Sequence, residues 1–132
     1  MISTKIEHLK SEFNVLDNPM DRYQHIIDLG KDKEKISHDI RQNKNLIKGC
    51  VSQAWMHIQS RKNPIKIITD SDALIVRGLL SILESLVNDS SVKDIKKLDG
   101  SSILNEIGLG YSISSQRTNG FVGAVNKIKR EL

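Results

Sequence analysis

Apolar residues recur every three or four positions at the N-terminal end of the chain, which predicts two amphipathic helices. The first is predicted over residues 3–14, and its apolar stripe consists of Ile2, Ile6, Leu9, Phe13 and Leu16. The second starts at Asp17-Asn18-Pro19, because a capping side chain followed by proline at the first helical position favours a helix start. Gly30 predicts its end, since glycine commonly terminates helices.

In the middle of the chain the apolar period falls to about two, which predicts strands. Residues 54–59 alternate as a half-buried strand does, residues 61–64 form a turn, and residues 65–69 supply the returning strand. Together with residues 44–48, they predict a small antiparallel sheet of about three strands. The polar segment over residues 31–45 predicts a surface loop with at most one helical turn.

The longest apolar segment, Ala73 to Asn88, carries its polar residues in one narrow stripe. We therefore expect a helix that is buried on most of its circumference and covers the sheet, with Leu83 in the core. Asp70 or Ser71 is the predicted cap of this helix. Asp72 is expected in its first turn, where the helix dipole favours a negative charge.

Further helices are predicted towards the C-terminus. Ser91 is expected to cap a short one, and another follows Gly100 and stops at Gly108. The last helix is expected to begin at Ser114 or Ser115. Two helices, then strands, then helices again form the order of an α+β fold.

Composition places the chain among globular proteins. It has 132 residues, of which 38% are hydrophobic and 27% charged, so we expect one domain over residues 1–132. No apolar run is long enough to span a bilayer, and no signal-peptide pattern is present, so a cytoplasmic location is expected. The net charge of +4 comes from lysines scattered among carboxylates, and we expect no nucleic-acid or membrane partner.

Cys50 is the only cysteine, which excludes an internal disulfide. Gly49 allows the backbone to form a corner, so we expect the thiol at a loop tip. If the strands pair as predicted, Lys48, Arg61 and Lys62 lie near the thiol and favour its ionised form. Gly120 and Gly123 predict close helix packing, and Arg117 stands in the first turn of the last helix, where a cation opposes the dipole.

Four roles compete for this thiol. A Cys–His hydrolase needs an oriented base, and His57 is better explained as a solvent-facing strand residue. A metal or iron–sulfur site needs several soft ligands, which one cysteine cannot supply. A sulfur carrier needs only one accessible thiol, since sulfur passes between thiolates by displacement. The residues alone leave two roles open. Cys50 is either the thiol of a sulfur carrier or a structural cysteine in a non-catalytic interaction module.

Two motifs, Gly49–Trp55 and Asp70–Leu80, resemble the SufE family of sulfur acceptors, which includes CsdE. Residues 23–30, Leu109 and residues 114–120 agree with the same family in the same order. The resemblance implies a SufE/IscU-like α+β fold over nearly the whole chain. It also implies a carrier that is not itself an enzyme but activates a partner enzyme.

The resemblance further implies roles for individual residues and partners. Cys50 matches the acceptor that takes persulfide sulfur from a SufS- or CsdA-type cysteine desulfurase and passes it on, typically to a SufBCD-type scaffold for iron–sulfur cluster assembly. Pyridoxal phosphate would belong to the desulfurase, and no cofactor or metal is expected here. We expect a monomer or weak dimer. The residues expected to support the loop are Gly49, Ser52, Gln53 and Trp55, and those expected to contact the partner are Lys48, Asp72 and Arg117.

Overall fold

The computed structural model describes residues 2–33, 38–50, 52–110 and 112–132. These residues form an α+β fold with two strands and six helices. In chain order the elements are α1 (Ile2–Asn14), α2 (Pro19–Asp32), β1 (Ala54–Ser60), β2 (Lys66–Ser71), α3 (Leu74–Val87), α4 (Val92–Lys96), α5 (Gly100–Ile107) and α6 (Ser115–Glu131). The predicted fold class is confirmed.

The sheet is an antiparallel hairpin whose buried face packs with α3 in the core. Met56 pairs with Thr69 and Ile58 with Ile67, so their side chains share one face of the sheet. All four are buried. On α3, Leu83 is fully buried, which confirms the prediction that this helix forms the centre of the core.

The third strand predicted over residues 44–48 is reduced to one bridge. Leu46 pairs with Trp55, and the Ile47 amide donates to the Ala54 carbonyl at 2.8 Å. Residues Asn43–Asn45 form a 3₁₀ turn instead of extended chain, which shortens the pairing. The predicted loop over residues 31–45 is described only in part, and it contains a second 3₁₀ turn over His38–Ile40.

Glycines bring α2 and α3 into backbone contact. The predicted stop at Gly30 is wrong, because α2 continues to Asp32. A Cβ atom at Gly30 would meet the Leu74 carbonyl oxygen, and one at Gly78 would meet the Ile26 carbonyl oxygen. Gly30 therefore serves close helix packing and not helix termination.

The predicted cap of α3 is also wrong. Asp70 and Ser71 belong to β2, and Asp72 precedes the helix without entering its first turn. Ala73 stands at the N-cap position and makes no side-chain capping bond. The strand thus continues two residues further than predicted, because Asp70 and Ser71 pair with β1 and are buried.

The remaining boundaries follow the predicted capping residues. The Ser91 side chain accepts from the Asp94 amide, and the Ser114 side chain accepts from the Arg117 amide. Gly108 ends α5 with a φ of 94°, a conformation that favours glycine. Within the described residues, no helix combines the length and the apolar character needed to cross a membrane.

Candidate functional site

The candidate site is the loop between the Leu46 bridge and β1, and it carries Cys50. Gly49 has a φ of 87°, so the corner predicted from its sequence position is present. One end of the loop is held by the buried Ile47. The other is held at Gln53, whose carbonyl accepts from the Ser71 hydroxyl at 2.8 Å and from the Asp72 amide at 3.1 Å. The loop is therefore attached at both ends to the two-stranded sheet.

The thiol of Cys50 lies against α6 and not at an outward tip. The side chain is half-buried and packs against the hydrophobic core. It lies against Gly120 of this helix, where a Cβ atom would lie 2.9 Å from Sγ of Cys50. Cys50 therefore lies in a loop as predicted, and its thiol rests against α6 because the bare helix backbone at Gly120 admits the sulfur.

Burial dominates the electrostatics of the thiol. It raises the pKa of Cys50 above the ordinary value of 9.0, since desolvation disfavours the thiolate. The Ser52 backbone amide lowers this pKa by hydrogen bonding, the Asp72 charge raises it, and the Arg117 charge lowers it. The net effect raises the pKa of Cys50, so the thiolate is not favoured in this conformation. The prediction that neighbouring cations favour it is therefore wrong.

Two of the cations expected beside the thiol lie elsewhere. Arg61 and Lys62 are in the hairpin turn, whereas Cys50 precedes Ala54 at the other end of β1, and a strand of this length spans about 20 Å. Arg61 instead lies 3.5 Å from a carboxylate oxygen of Glu131. The strands do pair as predicted, but a hairpin separates its turn from its open end.

Of the three residues expected to contact a partner, Lys48 lies in the loop, and Asp72 and Arg117 act on its thiol. Lys48 is exposed, and Asp72 is exposed at the junction between β2 and α3. Arg117, on the first turn of α6, is half-buried, and its Nη1 atom is buried without a hydrogen-bond partner among the described residues. Asp72 and Arg117 both act electrostatically on Cys50, so the structure brings these two together with the thiol.

Trp55 lies near the start of β1, where it pairs with Leu46. Its ring is buried, and the Arg41 guanidinium lies 4.8 Å from the ring centroid. Arg41 also donates from Nε to the Asp70 carboxylate at 2.8 Å. Sequence reasoning missed Arg41, because it lies in a polar segment with no periodicity to indicate its partners.

The other chemistries weighed for the thiol find no support in this geometry. His57 pairs with Ile68 in the middle of the hairpin, away from the end that carries Cys50. Among the described residues, no cluster of three or more His, Cys, Asp or Glu side chains is arranged to hold a metal ion. Among the described residues, the charged side chains that act on the thiol are Asp72 and Arg117.

The family model described as "SufE: Fe-S metabolism associated domain" matches residues 7–132. The chain belongs to the SufE family. An uncharacterized SufE-like protein of Rhizobium etli is 34% identical over 99% of this chain and 91% of its own length. A second, from Rhizobium meliloti, is 33% identical over 97% and 94%. The cysteine desulfuration protein SufE of Wigglesworthia glossinidia brevipalpis is 31% identical over 96% and 88%.

Proposed function

We propose that this SufE-family protein accepts sulfur from the persulfide of a cysteine desulfurase on Cys50 and passes it on for iron–sulfur cluster assembly. The observation that carries the proposal is the position of the only cysteine in a chain of this family. It lies at the Gly49 corner of a loop held at both ends. A similar protein named for cysteine desulfuration supports the same role.

The transfer is a displacement at sulfur that needs no external oxidant or reductant. The Cys50 thiolate attacks the terminal sulfur of the desulfurase persulfide, the donor's S–S bond breaks, and the donor cysteine leaves as a thiolate. Cys50 then carries the terminal sulfur as its own persulfide. The proton lost from the Cys50 thiol is balanced by the one that the donor thiolate takes up.

Reaction requires that the thiol leave its resting position against α6. A half-buried thiol with a raised pKa is a poor nucleophile at neutral pH, because little of it is thiolate. Docking of a desulfurase would release the thiol from this position by drawing the loop towards the partner. The single carrier thiol would thereby stay unreactive until the correct donor is present.

Asp72, Arg117 and Lys48 are the residues that we propose contact the desulfurase. Asp72 and Lys48 are both exposed. Arg117 has a buried guanidinium nitrogen without a described hydrogen-bond partner, and this nitrogen is available to an oxygen or sulfur acceptor. Charges of both signs near the thiol would orient the partner over it.

The wider role follows from the same proposal. The chain acts over residues 1–132 as a single SufE-like domain, holds no cofactor of its own, and activates its partner without being a stand-alone enzyme. The partner is a SufS- or CsdA-type desulfurase that carries pyridoxal phosphate, and a SufBCD-type scaffold receives the sulfur. We propose that these exchanges occur in the cytoplasm, with the protein as a monomer or weak dimer.

The alternative is a non-catalytic interaction module with a structural cysteine, and the half-burial of Cys50 favours it. Desulfurase turnover with cysteine as substrate separates the two, measured with the wild-type protein and with Cys50→Ser. The proposal expects Cys50→Ser to bind the desulfurase without accelerating turnover. Equal acceleration by both proteins would establish the interaction module instead. Labelling of Cys50 by a thiol reagent, with and without the desulfurase, provides a second comparison, since docking should increase the labelling rate.

A further inference from the structure

The contact between Cys50 and α6 depends on the absence of a side chain at position 120. A Cβ atom there would lie 2.9 Å from Sγ of Cys50, 3.3 Å from its Cβ and 3.6 Å from its Cα. The first distance is too short for a real contact, whereas the last is ordinary van der Waals contact. An alanine at this position would therefore displace the thiol and leave the Cys50 backbone nearly in place.

The next turn of the same helix face holds the start of the loop. A Cβ atom at Gly123 would lie 2.6 Å from the carbonyl oxygen of Lys48 and 3.7 Å from Cγ2 of Ile47. The obstacle here is backbone, so a side chain at position 123 would move the loop itself. Gly120 and Gly123 thus meet different atoms of one loop, the thiol and the chain that leads to it.

We propose that Gly120 is a positioning residue for sulfur transfer, because it sets how deeply the Cys50 thiol rests against α6. This inference rests on the proposed function, in which Cys50 is the acceptor. The bare backbone at position 120 gives the thiol a place out of water, and the resting position keeps its reactivity low until a donor docks. A larger residue at this position keeps the thiol permanently displaced.

Two charged groups near the thiol also act on its ionisation, which bears on what happens when the thiol is displaced. They are Asp72 before α3 and Arg117 on α6, one turn before Gly120. Their effects oppose each other, whereas burial is the largest influence and disfavours the thiolate. Removing burial therefore shifts the thiol towards its ionised, reactive form.

Alkylation of Cys50 by iodoacetamide, measured as a function of pH, tests this positioning role. We expect Gly120→Ala to react about tenfold faster than the wild type at pH 7, with the midpoint of its pH profile lowered. Asn119→Ala, an exposed neighbour on the same helix, is the matched control and should keep the wild-type rate and midpoint. A merely structural role for Gly120 would not move the midpoint.

Equal rates and midpoints for Gly120→Ala and the wild type would overturn the inference. If Gly120→Ala does not fold, Gly123→Ala takes its place, because it lifts the loop and should accelerate alkylation in the same direction. The wild type alone gives a third comparison. Its folded form should react several-fold more slowly than the urea-unfolded chain at the same pH, and equal rates would also overturn the inference.

These measurements use no desulfurase, so they fail or succeed separately from the proposed function. If the wild-type thiol proves unshielded, the inference about Gly120 fails, and the turnover assay still decides whether Cys50 accepts sulfur. A shielded thiol in a protein that takes up no sulfur would instead support the interaction-module alternative.

Discussion

The carboxylate of Asp70 accepts a hydrogen bond from Nε of Arg41 at 2.8 Å, which ties the end of β2 to the segment that follows α2. The other oxygen of Asp70 lies 3.2 Å from Nε of Arg77 on α3. Arg77 in turn donates from Nη2 to the Ser71 carbonyl at 3.0 Å. Asp70 is only 5% exposed, so one buried carboxylate joins three segments of the chain. It lies next to Ser71 and Asp72, which anchor the Cys50 loop through the Gln53 carbonyl.

Replacing Asp70 by asparagine should therefore destabilise the fold. Removing the charge leaves Arg41 and Arg77 without their shared anion in a partly buried region, and we expect a loss of about 3 kcal/mol in the free energy of unfolding. Urea denaturation monitored by circular dichroism measures it. Asp72→Asn is the matched control, because Asp72 is exposed and should change the free energy by less than about 0.5 kcal/mol. Similar values for both variants would contradict the assigned role of Asp70.

The core position of α3 gives a second prediction. Leu83 is fully buried, and truncating it to alanine removes apolar contacts and leaves a cavity. We expect Leu83→Ala to lower the free energy of unfolding by about 2–5 kcal/mol. Leu74 on the same helix is 40% exposed, so Leu74→Ala should cost clearly less. If the two variants lose the same stability, the orientation of α3 is wrong.

The thiol of Cys50 predicts how stability depends on pH. Its pKa in the folded protein is raised by burial above the ordinary value of 9.0, so the unfolded chain ionises first as the pH rises. The stabilisation from the neutral buried thiol is complete below pH 9.0 and is lost as the pH climbs through the folded-state pKa. The stability difference between the wild type and Cys50→Ala should thus fall from pH 8 to pH 10. A difference that rises over this range would show that the folded protein favours the thiolate.

Charge reversal tests the proposed partner surface. Asp72→Arg and Arg117→Glu should each weaken binding to a cysteine desulfurase about tenfold, the size of one lost charge contact of about 1.4 kcal/mol. Isothermal titration calorimetry measures the binding, and circular dichroism checks that the variants are folded. Glu106→Lys, at an exposed position on α5, is the control and should bind as the wild type does. Unchanged affinity in both test variants would remove these residues from the interface.

The sequence predicts this fold well wherever a single residue determines where a helix begins or ends or where the chain turns. The Ser91 and Ser114 caps, the stop at Gly108 and the corner at Gly49 all depend on conformations or hydrogen bonds within a few residues. The apolar stripe of α3 likewise reports its burial directly. Such features need no knowledge of distant segments.

Features set by distant segments were not predicted. Asp70 looks like a helix cap from its neighbours, yet Arg41 and Arg77 engage it as a buried strand residue. Gly30 looks like a helix end, but α3 needs its missing side chain. The resting position of the Cys50 thiol could not be predicted either, because nothing near it in the sequence indicates that Gly120 would receive the thiol.

The transfer of sulfur to Cys50 itself is the most direct test of the proposed function. Purified protein is incubated with a SufS- or CsdA-type desulfurase, free cysteine and pyridoxal phosphate, and its intact mass is measured under non-reducing conditions. The proposal predicts that the wild type gains the mass of one sulfur atom, which a reductant removes, and that Cys50→Ser gains none. A sulfur adduct on Cys50→Ser, or none on a wild-type protein that binds the desulfurase, would contradict it.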